Sequence, residues 1–136
     1  MFKKLFYIFM AMLTLFSLKV ANSKPVFANF SNTFEVCIGQ KSNGTFYKVN
    51  NLSYYFFNGI SGESCVVDNK YSLSDVIRYF KAEKVFTERV ENLTIIYYYS
   101  PKIKYVQMVN GKKINLQVCK TDNQLKIGTP LIFGSF

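Results

Sequence analysis

From Leu5 to Leu18 the chain runs without a charge, opened by Lys3 and Lys4 and closed by Lys19. Beyond it the apolar positions fall into short alternating runs. "TFEVCIG" (33–39) sets Phe34, Val36 and Ile38 against Glu35 and Cys37, a period of two that predicts a half-buried strand. "QKSNG" (40–44) marks a turn, and 45–50 returns as the hairpin partner. Residues 52–59 are a third β-prone run, and "CVV" (65–67) a short fourth. Segments 85–92 and 93–100 are predicted strands joined by a tight turn near Glu91-Asn92, with Pro101 ending the second. Asn110-Gly111 suits the centre of a two-residue hairpin turn within 105–119. Pairing outward from it sets Val109 opposite Lys112, Gln107 opposite Ile114 and Tyr105 opposite Leu116, with Val118 continuing the Ile114–Leu116 face. "LKIGTPLIFGSF" then predicts a last strand, bent by Gly128 and Pro130 and paired with 112–119.

One stretch breaks the period of two. In "YSLSDVIRYFKAEK" (71–84), Leu73, Val76, Ile77 and Phe80 share one helical face. Ser72 followed three residues later by Asp75 resembles a capping box, with Asp in place of the usual Glu. A helix with a single apolar stripe buries it against a sheet. The predicted class is therefore α+β, an antiparallel β-sheet with one main helix packed on a face.

The uncharged run after two lysines has the three-part layout of a secretory signal peptide. Ala21 and Ser23 suit cleavage after Ser23; Val26 and Ala28 suit cleavage after Ala28. A retained membrane anchor is the competing reading, but a spanning helix needs about 20 apolar residues and Lys19 interrupts sooner. The expected division is residues 1–23 as leader and 24–136 as a single domain, exported to the cell envelope or beyond. The net charge is +9, falling to about +6 without the leader lysines, which would favour anionic partners. Lysine far outnumbers arginine, however, and bidentate phosphate or base recognition favours arginine. Abundant Phe, Tyr, Ile, Asn and Lys, all with AT-rich codons, offer genomic bias as the plainer source of the charge.

The chain contains no histidine, which excludes Ser-His-Asp and Cys-His mechanisms and the commonest metal ligand. No phosphate-binding loop, dinucleotide fingerprint or CxxC pair occurs, so no cofactor and no metal is expected. Three cysteines remain. Cys37 and Cys119 lie on the more polar faces of their strands and are a candidate disulfide if those strands are neighbours; Cys65 would then be a lone thiol. The alternative is three small buried side chains. Asp75, Glu83, Glu88 and Glu91 are candidate paired carboxylates, although Asp75 already serves the helix cap. The aromatics of 54–57 and 97–99 fall on both faces of their predicted strands. Tyr97, Tyr98 and Tyr99 beside Lys102 and Lys104, with Lys48 nearby, are the candidate stacking surface. Asn-x-Ser/Thr sequons at Asn29, Asn43, Asn51 and Asn92 are near chance in a chain this rich in asparagine.

"YYYSPKI" (97–103), "NGKKINLQV" (110–118) and "IGTPLIFGSF" (127–136) together are similar to the YwmB-like family of secreted proteins from low-GC Gram-positive bacteria. The resemblance covers about the last 65 residues, counting the helix, and the N-terminal half matches only in loose strand pattern. It implies a TATA-box-binding-protein-like fold and a link to envelope or sporulation biology, and brings no catalytic residues. An exported domain rarely meets the genome, so nucleic acid is not an expected partner. The functional expectation is a non-enzymatic domain that binds an envelope polymer or a protein partner, touching membrane only if the leader stays. Its rival is a small cell-wall-acting hydrolase that uses carboxylates or a cysteine.

Overall fold

The computed structural model describes residues 1–22, 24–39 and 44–132. The "QKSNG" turn, all but its glycine, and the tail beyond Ile132 lie outside these. Among the described residues two α-helices and a seven-stranded antiparallel sheet make an α+β fold. Helix α1 (Phe2–Asn22) comes first, followed by β1 (Thr33–Ile38), β2 (Thr45–Asn50) and β3 (Ile60–Val66). Helix α2 (Leu73–Phe80) separates these from β4 (Glu83–Val90), β5 (Leu93–Tyr99), β6 (Gln107–Val109), β7 (Lys112–Ile114), β8 (Leu116–Lys120) and β9 (Leu125–Thr129). The large sheet has the order β2-β1-β3-β9-β8-β5-β4, and β6-β7 form a separate two-stranded ribbon. Among the described residues no helix is long and apolar enough to cross a membrane.

One face of the sheet carries the main core. Cys65, Ile127, Val118 and Ile96 stand in register across β3, β9, β8 and β5. Helix α2 lies over this face with Val76 and Phe80 buried and Leu73 and Ile77 packed beside them, the four positions that its pattern predicts. The segment 25–30 adds Phe27 and Phe30, at 0% and 3% exposure. Each such ring contributes about 2–3 kcal/mol by leaving water. On the opposite face a smaller cluster forms from Ile95, Tyr97 and Ile114, with Phe86, Val109 and Leu131 against it. The β6-β7 ribbon thus covers only the half of that face nearest β4.

The cap at Ser72 forms in full: Ser72 Oγ accepts from the Asp75 N–H, and Asp75 Oδ2 accepts from the Ser72 N–H at 2.8 Å. The helix stops earlier than the pattern suggests. Lys81 turns left-handed at φ 49°, and its N–H and that of Ala82 bond back to α2 carbonyls, so 83 and 84 start β4.

Residues 52–59 do not form the predicted strand. The Asn50 side-chain carbonyl accepts from the N–H groups of Leu52 and Ser53, and Ser53 Oγ accepts from the Asn50 N–H. This local turn winds Ser53–Phe56 into a 3-10 helix, so side-chain capture of the backbone overrides β propensity. The strand after it, β3, is longer than "CVV" and begins in the small polar run "ISGES".

The Asn110-Gly111 hairpin keeps its predicted register at Gln107↔Ile114 and Val109↔Lys112. Beyond Ile114 the register fails: Leu116 pairs with Tyr98 of β5, and Tyr105 is not its partner. Ile114 belongs to the small cluster, Leu116 and Val118 to the main core. The break is at Asn115, fully buried, whose amide binds Ser100 and Ile103 and hands the chain from ribbon to sheet. Strand β9 pairs with β8 as expected, and also with β3, which makes it a central strand.

Candidate functional site

The structure disperses the predicted stacking surface. Tyr98 is 4% exposed in the main core, and Tyr97 is 8% exposed on the opposite face. Tyr97 stacks on Phe86 at 4.2 Å between ring centroids and donates its hydroxyl to Glu88 at 3.1 Å. Tyr99 is half-buried. A strand between two packed layers has no open aromatic side, so the tyrosines serve packing. Lys104 lies over the Tyr105 ring and Lys48 is exposed on β2, far along the sheet. Of the other aromatic run, Tyr54 is buried, Tyr55 and Phe57 are half-buried, and Phe56 is exposed.

The candidate disulfide is likewise corrected. β1 and β8 are separated by β3 and β9, so Cys37 and Cys119 stand three strand spacings apart, about 14 Å across the sheet, and are offset along it as Gly62 is from Val66. A disulfide requires Cα atoms within about 7 Å. All three thiols are free and buried. Burial pushes up the pKa of Cys65, with the Glu63 charge adding to it, and burial raises that of Cys119. Neither Cys65 nor Cys119 is poised as a thiolate.

The named carboxylates do not converge. Asp75 is held below its usual range by the Ser72 backbone N–H and hydroxyl. Glu88 accepts from Tyr97, and Glu83 and Glu91 are exposed near opposite ends of β4. Among the described residues no group of three or more Cys, Asp and Glu could hold a metal.

Lys102 leads to a different surface. Its Nζ donates to the Tyr79 carbonyl at 2.8 Å and lies 5.3 Å from the centre of the Tyr79 ring. Tyr79 and Tyr71 both set their rings edge-on to Phe30, with centroids at 5.3 and 5.2 Å. Lys70 Nζ lies 5.2 Å from the Tyr71 ring centre. Asp75, one turn before Tyr79 on α2, completes the wall, and Asn29 lines the other side. The resulting cleft has a volume of about 330 Å³. Phe30 anchors it, because its own ring is buried against Phe80 and its carbonyl accepts from the Asp68 N–H. Two rings, a carboxylate, an amide and two flanking ammonium groups are thereby collected where α2 crosses the segment 25–30. Sequence reasoning named Lys102 and Asp75 but not Tyr71, Tyr79 or Phe30. The last is 41 residues from Tyr71, and only the Asp75–Tyr79 spacing of four hinted at a shared face.

A second depression of about 600 Å³ lies on the uncovered half of the sheet. It is lined by Glu35, Lys48, Asn50, Ser64 and Lys126 among others, charges of both signs with no exposed ring. The third polar feature is internal. Glu63 is 1% exposed, and its two oxygens accept from the N–H groups of Val26 and Phe27 at 3.1 and 3.0 Å. The Tyr54 hydroxyl also donates to it. Burial pushes the Glu63 carboxyl upward against these bonds and raises Tyr54 as well.

No family model matches the chain, and neither a curated protein nor a solved structure does.

Proposed function

We propose that this chain is an exported, non-enzymatic domain that acts by binding at the bacterial cell envelope, with the Tyr71–Asp75–Tyr79 cleft as its ligand-facing surface. The observation that carries this reading is the meeting of two tyrosine rings on Phe30 with Asp75 and Asn29 beside them. Rings offer apolar faces to the C–H faces of a sugar, while a carboxylate and an amide bond its hydroxyl or acylamino groups. A wall glycan is therefore the ligand class that suits the cleft. Lys70 and Lys102 add attraction for an anionic polymer at its rim. The similarity of 97–103, 110–118 and 127–136 to the YwmB-like family supports the envelope setting and a connection with sporulation.

Replacing Tyr71 and Tyr79 together by Ala is expected to weaken retention on purified wall glycan by tenfold or more, about 1.4 kcal/mol. Circular dichroism should show that the sheet persists in the variant. Unchanged retention removes the cleft from the proposal. No association of the native chain with any wall fraction refutes the binding reading itself.

A further inference from the structure

We propose that processing removes α1 by a cut ahead of Pro25, and that the Phe27 pocket and Glu63 then hold that boundary against further trimming by making residues 25–30 part of the folded domain. This rests on the export reading. The two sides of the boundary differ in kind. Along α1 the apolar side chains are exposed, from Phe2 at 89% to Leu18 at 59%, and Lys19 Nζ makes an exposed bond to Asn58 Oδ1. From Pro25 onward the pattern inverts. Pro25 is buried, Phe27 is fully buried, and its ring meets Phe80 edge-on at 5.7 Å.

The Val26 and Phe27 N–H groups then satisfy both oxygens of Glu63, a carboxylate that has left water entirely. The chain offers small residues for cleavage after Ser23 and after Ala28, and these are not equivalent in the fold. A cut after Ala28 would take the Phe27 ring out of the core and strip Glu63 of two donors. A cut after Ser23 leaves both in place, with Lys24 exposed at the new end. The reaction is hydrolysis by an endopeptidase of the export machinery. Water supplies the hydroxyl that bonds to the Ser23 carbonyl carbon. The C–N bond to Lys24 breaks, and the freed amine takes up the proton.

The test is to express the full chain in an exporting bacterial host and sequence the N-terminus of the material outside the membrane. A single terminus at Lys24 is expected. A terminus at Asn29 or beyond overturns the boundary and leaves export standing. A chain that keeps Met1 and stays inside the cell overturns the export reading, and the boundary with it. In a Phe27→Ala variant the exported material should lose its single terminus, with a ladder of ends extending past Ala28 as the freed segment is trimmed. A uniform Lys24 terminus in that variant overturns the role of the pocket.

Discussion

Glu63 sits where its charge is least welcome. Backbone N–H groups and a tyrosine hydroxyl, not a cation, are the partners it has among the described residues. Because burial raises its pKa above the ordinary 4.5, the folded chain holds this proton more firmly than the unfolded chain. Its contribution to stability is fully present below that ordinary value and is lost as pH rises through the folded value. Over the pH range above that ordinary value the native melting temperature should therefore carry a downward component that Glu63→Gln lacks. The difference between the two pH profiles isolates it, since the other carboxyls titrate in both. Parallel profiles would show that Glu63 does not titrate in this window. Nothing in the sequence marks this residue. It stands alone among Gly62, Ser64 and Cys65, and its backbone partners lie 36 and 37 residues earlier.

At the scale of elements, legibility followed the range of the interactions involved. The cap of α2 and its apolar stripe are set by residues within a turn of one another, and both were readable. So was the Asn110-Gly111 turn, with Asn110 at φ 50° and Gly111 at φ 75°. The end of α2 was not, because the left-handed turn at Lys81 leaves no mark in the apolar period. Asn115 was hidden for the opposite reason: it falls where alternation expects an outward polar side chain, yet it is buried. Its amide accepts from the Ser100 N–H at 2.7 Å and donates to the carbonyls of Ser100 and Ile103. Asn115→Ala takes a partner from three buried backbone groups, of which only the Ser100 carbonyl keeps another, the Ile103 N–H, and is expected to cost about 3 kcal/mol or more. Urea unfolding measures this, and a loss below about 1 kcal/mol would show that the link from ribbon to sheet holds without the amide.

For the whole molecule, α+β class and antiparallel pairing were legible because each follows from alternation and short turns. Strand order was not, and the Cys37–Cys119 pairing failed on that account alone. The native protein should label at none of its cysteines on the timescale of mixing with a thiol reagent, and at three once denatured. Their burial at 1%, 4% and 3% exposure is the reason. A count of one after denaturation would mean that a disulfide forms despite the spacing. Order across the sheet also sets an order in time. Strand β9 is the last of the described strands in sequence, yet it lies between β3 and β8 and joins the two halves of the sheet. Until Leu125–Thr129 has been delivered, β1–β3 and β4–β8 remain two fragments with open edges. Closure must wait for contacts between residues some sixty positions apart, the kind that slow a folding reaction. A chain threaded outward from its N-terminus would thus stay unlocked during passage and latch only on arrival.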